Sequence, residues 1–266
     1  MKNINILKRI DAYLEEQDRK SLDNRVRTSH HPSGANKCLR QMYYDWTNTP
    51  VTNYRTATDI WRINLGTWMH KMFAHYLREM GEEVVDEVEM TLTDPTLKYP
   101  IHGYLDNIIE IDGELYGIEL KTVFGQGGKS IQLSGKPRED DATQTKIYLV
   151  ANNLAGFFVD YLARDSFYRT EFQIIMSNPE REAFKTMIIN KFRTLEHMVE
   201  KMIIPDRDYH AIVCDGMLIG NKQYKLIKYK SDWQCMYCVY RDHCYAEEIA
   251  DFGMHLPEPK PLFDEE

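Results

Sequence analysis

The segment 103–122, GYLDNIIEIDGELYGIELKT, places Asp106, Glu119 and Lys121 among Ile, Leu and Tyr. Burying an isolated ion is costly unless it is paired, solvated or bound to metal. Asp112-Gly113 is a strong two-residue hairpin signal. A turn centred there makes the strand of Asp106 antiparallel to that of Glu119 and sets the two carboxylates roughly opposite each other. Alternation along the second strand sends Glu119 and Lys121 to one face and Ile118 and Leu120 to the other, into the core. Adjacent carboxylates repel and raise each other's pKa, and a divalent cation between them turns repulsion into binding. Mg²⁺ suits such a site because it takes oxygen ligands and keeps waters for substrate phosphates. A lysine two residues along could stabilise an attacking hydroxide or, suitably tuned, give up its own proton. The chemistry that fits is phosphodiester hydrolysis, which needs positive charge at the reacting phosphorus. Glu-x-Lys alone is common in strands, so the argument needs further residues.

Three further groups supply them. Gly66 and His70 are four apart in LGTWMHKMF and share a helix face. Glycine inside a helix costs about 1 kcal/mol relative to alanine, so a close neighbour at Gly66 is expected, and His70 could reach the metal as a neutral ligand. Gln144 and Tyr148 repeat the spacing in DATQTKIYLVA, where an amide and a phenol could hold a phosphate or a base. Cys235, Cys238 and Cys244 form C-x2-C-x5-C, with Cys38 far away in sequence. Three grouped thiolates and one remote one suit a four-iron cluster. Zinc is the alternative, with His243 available, although zinc sites more often pair two short C-x2-C hooks. Cys214 has no spaced neighbour and reads as a bystander.

The elements that must carry these residues follow from periodicity. Residues 2–20 have helical spacing, and Ser33 could cap a second helix, GANKCLRQMYYDW. A Thr- and Asn-rich link at 47–57 leads to a long helix from Asp59 to about Met80, with Trp61, Leu65, Trp68, Met72 and Tyr76 on one side. Strands are expected at about 83–93, 101–111 and 114–123. The glycine-rich run 124–138 reads as a mobile loop. A helix at about 140–153, strands in GFFVDYLA and YRTEFQIIM, and a helix at about 179–202 come next, before a Pro-rich acidic tail. This order predicts an α/β fold with a mixed central sheet flanked by helices.

The 266 residues carry a net charge of −8, which on its own argues against nucleic acid. The distribution argues otherwise. Basic residues concentrate in 24–44 with Arg25, Arg27, Lys37 and Arg40, in 122–138 with Lys129, Lys136 and Arg138, and in 216–231 with Lys222, Lys225, Lys228 and Lys230. They could form a local basic track on an acidic body, or three solvated loops. Tyr43, Tyr44 and Trp46 beside Arg40 could stack bases or fill the core. The N-terminus has no apolar signal segment, and no stretch is long enough to span a bilayer. An intracellular, cytoplasmic protein without a membrane partner is expected, and its thiols stay reduced.

Taken in order, Cys38, Gly66-x3-His70, Gly103-x2-Asp106, Glu119-x-Lys121, Gln144-x3-Tyr148 and C-x2-C-x5-C resemble the RecB-like branch of the PD-(D/E)XK nucleases. The likeness is to the iron–sulfur subgroup, which includes the CRISPR-associated adaptation exonuclease and the AddB nuclease domain. The resemblance runs from about residue 25 to 245. It implies a restriction-endonuclease-like core at 58–203, an N-terminal helical segment at 1–57 giving one cluster cysteine, and a cluster-binding segment with tail at 204–266. It implies that His70, Asp106, Glu119 and the carbonyl of Leu120 bind Mg²⁺ or Mn²⁺. Lys121 would help activate water, and Gln144 and Tyr148 would orient substrate. Cys38, Cys235, Cys238 and Cys244 would hold a structural 4Fe–4S cluster, and a cross-link closing so long a loop has its largest entropic effect. Arg40, Lys129, Lys136 and Arg138 are candidate DNA contacts.

The expected activity is that of a metal-dependent DNA exonuclease acting on single strands from 5′ ends in recombination, repair or CRISPR spacer processing, with recombination or adaptation proteins as possible partners. A phage-encoded protein acting in a host cytoplasm is also compatible. The alternatives are a structure-specific endonuclease and a catalytically silent DNA-binding subunit. The superfamily's Pro-Asp is absent here, since Leu105 precedes Asp106.

Overall fold

The computed structural model describes residues 5–82, 84–209, 212–213, 217–219, 222–224, 227–228 and 232–247. By compactness the chain divides into two units. One comprises Arg27–Lys37 and Ile63–Ile203, the other Met1–Val26, Cys38–Arg62 and Ile204–Glu266.

The first unit is built on five strands: β1 (Val84–Leu92), β2 (Ile101–Ile111), β3 (Glu114–Val123), β4 (Gly156–Ala163) and β5 (Arg169–Ile174). They lie in the order β1-β2-β3-β4-β5. Only β3 and β4 are parallel, because the chain between them detours through two helices, α4 (Gly125–Ser134) and α5 (Glu139–Ala151). This is the mixed sheet flanked by helices that the element order predicts. Asp112 and Gly113 both take positive φ (53° and 82°), the conformation that a two-residue hairpin turn demands. The turn fixes the register Ile111↔Glu114 through Asn107↔Ile118. One step further Asp106 would face Glu119, but the ladder stops there. From Glu119 onward β3 runs with β4 alone, as far as Val123↔Ala163.

Two elements differ from expectation. The run 124–138 contains helix α4. It lies on the sheet through Gly128, where a Cβ would make ordinary contact with Val123, Ala163 and Tyr168 at 3.5–3.7 Å. The second helix starts at Leu39 with Cys38 as its N-cap, and Ser33 lies in a short 3-10 turn, Pro32–Gly34. In the first unit that turn is anchored by His30, which pairs with Ile101 in the parallel sense. His30 donates from Nε2 to the carboxylate of Glu196 at 2.9 Å, a residue of helix α6 (Asn178–Lys201).

The second unit gathers α1 (Ile6–Asp23), α2 (Leu39–Trp46) and the C-terminal helical turns α7 (Trp233–Met236) and α8 (Arg241–Cys244). Buried Asp45 of α2 accepts from Tyr240 at 2.9 Å and pairs with Arg25. Tyr43 and Tyr44 are buried, so core packing, not base stacking, is their role. Helix α3 (Ala57–Glu79) begins in this unit and continues into the other. The side of α3 carrying Trp61, Leu65, Trp68, Met72 and Tyr76 remains exposed, Trp68 to 71%. No helix of the described residues is long and apolar enough to cross a membrane. The acidic tail, Cys214 and the side chains of the 216–231 basic segment lie outside the described residues.

Asp160 of β4 is the register partner of Glu171 on β5. Burial first, and then the Glu171 charge and hydrogen bond, push its carboxyl up to about 7. The folded chain therefore keeps a proton that the unfolded chain releases near the ordinary carboxylate pKa, so this pair loses stability as pH rises from about 4 to 7. Asp160→Asn should be more stable than the parent at about pH 8, with the gap closing towards about pH 4.5. Melting temperatures across that range check it, and parallel curves would refute the assignment.

Candidate active site

The end of the β2–β3 ladder creates the site. With no backbone partner from β2, the Leu120 amide donates to the Asp106 carboxylate, Oδ2 at 3.0 Å. The other oxygen of Asp106 lies 3.2 Å from Nδ1 of His70. His70 reaches it because α3 comes close to β3 at Gly66, where a Cβ would sit 3.2 Å from Thr122 Oγ1. Burial alone would lower the His70 pKa, but the Asp106 hydrogen bond and charge outweigh it and raise the imidazole above its usual value.

Glu119 is the most deeply buried acid of the group, 3% exposed. Its Oε1 accepts from Lys121 Nζ at 2.8 Å and from Gln144 Nε2 at 2.9 Å. Its Oε2 is buried and has no hydrogen-bond partner. Burial pushes the Glu119 carboxyl up to about 7, against the pull of Lys121 and with a further push from Asp106. Burial would likewise strip Lys121 of its proton, but Glu119 and Asp141 hold its pKa above the ordinary lysine value. Lys121 is therefore held as a cation by these neighbours.

Gln144 and Tyr148 sit on the buried face of α5. Gln144 bridges the pair, accepting from Lys121 at 2.9 Å while donating to Glu119 and, at 3.3 Å, to Tyr148. The Tyr148 hydroxyl donates to the Tyr104 carbonyl at 2.8 Å. Both side chains face the acid–lysine pair and the backbone of β2. Sequence reasoning missed Asp141 and Tyr161. Asp141 lies 3.6 Å from Lys121 and accepts from the Tyr161 hydroxyl at 2.7 Å, and Tyr161 is the register neighbour of Lys121. Asp141, Gln144 and Tyr148 fall at i, i+3 and i+7, one helix face, and that spacing was the available signal.

Among the described residues, no group of three or more His, Cys, Asp or Glu is arranged to hold a metal ion as it stands. The expected ligands His70, Asp106 and Glu119 are close enough for their charges to act on one another, yet each has turned to a protein partner. The Glu119 oxygen left without any donor is the point at which these residues fit a divalent cation, since an unpartnered buried carboxylate oxygen demands positive charge.

In the second unit, Cys38, Cys235, Cys238 and Cys244 line one recess together with Arg40 and Arg207. All four thiols are free. Burial, reinforced by the neighbouring cysteines, pushes Cys235 up to about 11 and Cys238 up to about 12. Arg40 donates from Nε to the Pro205 carbonyl at 2.6 Å and reaches Cys244 Sγ at 3.9 Å, so it is engaged at this recess. Lys129, Lys136 and Arg138 are exposed.

The sequence matches no known family profile and no curated protein. Among solved structures, one described as SSO0001 is 17% identical, covers 90% of this chain and 97% of its own, and superposes with a TM-score of 0.55. An alkaline exonuclease (LHK-Exo) from Laribacter hongkongensis is 14% identical, with 72% of this chain and 95% of that chain covered and a TM-score of 0.49. A phage related exonuclease from Haemophilus somnus 129PT is 10% identical, with 65% and 96% covered and a TM-score of 0.45. The first likeness establishes a shared fold over nearly the whole chain.

Added Mg²⁺ or Mn²⁺ should raise the melting temperature of the parent, by the equivalent of about 2.7 kcal/mol when the ion is at a hundredfold its Kd. Glu119→Gln should remove that rise, and in chelator it should also lower stability, because it leaves the Lys121 ammonium without its nearest carboxylate. Thermal unfolding with and without metal reads both, and a rise that survives in the variant would exclude Glu119 as a ligand.

Proposed function

We propose that the chain is a metal-dependent deoxyribonuclease, an exonuclease that hydrolyses single-stranded DNA from its ends. The observation that carries this reading is the unpartnered Glu119 oxygen beside Asp106 and a permanently charged lysine, at the point where two strands part. His70, Asp106, Glu119 and the Leu120 carbonyl would hold Mg²⁺ or Mn²⁺. When bound, the ion supplies positive charge at the phosphoryl oxygen and lowers the pKa of a water.

The chain's own residues do the rest. Lys121 holds a fixed positive charge where an attacking hydroxide and a pentavalent phosphorus would carry negative charge. Gln144 keeps Lys121 and Glu119 in register, and Asp141 with Tyr161 holds the ammonium from the other side. His70, paired with Asp106, keeps that carboxylate oriented. Exposed Lys129, Lys136 and Arg138 supply phosphate contacts for the incoming strand. Preference for 5′ ends follows only from the family resemblance, as does a place in recombination, repair or CRISPR adaptation.

End-labelled linear single-stranded DNA should be shortened in Mg²⁺ or Mn²⁺ and left intact in chelator. Lys121→Ala should slow digestion on the order of 10²- to 10³-fold with DNA affinity retained. Unchanged digestion by that variant would overturn the reading. Circular single-stranded DNA should survive, and its cleavage would replace exonuclease by endonuclease.

We further propose that the four cysteines hold a 4Fe–4S cluster that ties the N- and C-terminal segments of the second unit together. The common recess supports this, and so do the arginines beside it, which would offset the charge of a thiolate-bound cluster. Binding releases the protons that the raised thiol pKa values retain. Protein purified without air should be brown, with broad visible absorption and about four irons per chain. Cys244→Ser should lose the colour and melt at lower temperature, and colourless protein containing zinc would assign the site to that ion.

A further inference from the structure

Burial alternates along β2. Ile101, Gly103, Leu105 and Asn107 are covered, while His102, Tyr104 and Asp106 lie on the accessible side. Tyr104 is 56% exposed, an unusual position for a large ring two residues from a carboxylate assigned to metal. Residues i and i+2 of a strand are about 6.8 Å apart, comparable to the reach of a nucleotide from its phosphate across the sugar to its base. A phosphate held at Asp106 and Glu119 would therefore bring one of its bases to the Tyr104 ring.

Two contacts make that ring a fixed platform and not a loose surface side chain. His102 packs edge-on against it, with ring centroids 5.4 Å apart at 82°. The Tyr104 carbonyl accepts the Tyr148 hydroxyl at 2.8 Å, which links its backbone through Gln144 to Glu119 and Lys121. The acid opposite Tyr104 on β1, Glu89, is turned to the His102 imidazole at 3.8 Å. The Tyr104 side chain thus stays more than half exposed while His102 packs against it and its backbone is held.

We propose that Tyr104 is a positioning residue on which the nucleobase next to the reacting phosphate stacks. This rests on the nuclease reading above. Stacking on an aromatic face is tolerant of base identity, so the platform would select unpaired DNA over duplex without selecting sequence. A base inside a duplex is already stacked on both faces and cannot lie on the ring unless the end is frayed.

Tyr104→Ala should raise KM for linear single-stranded DNA roughly 5- to 100-fold with kcat little changed, and Tyr104→Phe or Tyr104→Trp should rescue it. A substrate whose end nucleotides lack bases should show the same penalty with the parent and no additional penalty with Tyr104→Ala. Equal losses by Tyr104→Ala on normal and base-less DNA, or no loss on either, would overturn the proposal. A binding arm separates this from the activity itself. In Ca²⁺, a single strand with 2-aminopurine at its terminal or penultimate nucleotide should be quenched by stacking on the parent and not on Tyr104→Ala. Identical quenching would sink the platform even in a chain that digests DNA. A parent that digests nothing would sink the nuclease reading and leave the quenching result to decide the stacking site.

Discussion

The arrangement turns on one carboxylate held where water cannot reach it. Glu119 sits in a central strand with neighbours covered on both sides, and desolvation pushes its pKa upward. Lys121 and Gln144 share one of its oxygens and nothing serves the other. An ion pair of this kind is weak as a source of stability, because desolvating two charges consumes most of the Coulombic gain. A fold that retains it is therefore holding a charge distribution for some other purpose. A half-satisfied carboxylate and a fully satisfied ammonium make a place where an added cation is welcome and an added anion can be steadied.

The lysine is made permanent by its surroundings. Two carboxylates and an amide oxygen surround its ammonium, at 2.8 Å for Glu119, 3.6 Å for Asp141 and 2.9 Å for Gln144. Asp141 is itself fixed by the Tyr161 hydroxyl, and that hydroxyl also accepts from the Arg138 amide at 3.0 Å. The chain of contacts thus runs from the start of α5 through β4 to the lysine on β3. Because it crosses from helix to strand, the geometry of the charge depends on the packing of α5 against the sheet, not on the hairpin alone. This explains why Gln144 and Tyr148 face inward: their amide and phenol are engaged with the site and with the backbone that carries it.

Much of this was legible in the sequence, because hairpin arithmetic is local. Once Asp112-Gly113 is the turn, Asp106 and Glu119 must be neighbours, and the four-residue spacings of Gly66 with His70 and Gln144 with Tyr148 announce helix faces that approach the sheet. What was not legible depends on tertiary contacts. Three glycines within 125–128 look like a flexible loop until a sheet is there for a helix to lie on. The partners of Arg40, the Pro205 carbonyl and Cys244, lie far from it in sequence and share no motif with it. Asp141 and Tyr161 have no shared motif, and only the parallel pairing of β3 with β4 makes Tyr161 the neighbour of Lys121. The exposed side of α3 has the spacing of a buried one, and periodicity carries no information about whether a partner exists.

The parting of β2 from β3 is what allows one hairpin to be both scaffold and site. Had the ladder continued, the Leu120 amide would have met a backbone carbonyl, and the Asp106 side chain would not have been needed there. Instead the Asp106 side chain substitutes for the missing carbonyl, which satisfies the buried amide and leaves the other face of β2 open. A buried N–H deprived of its acceptor costs about 1–3 kcal/mol, so Asp106 has a structural duty that a metal ligand need not have. One of its oxygens closes the ladder while the other faces His70. The same break in pairing thus accounts for the position of the acid, the reach of the histidine and the exposure of Tyr104 two residues before it.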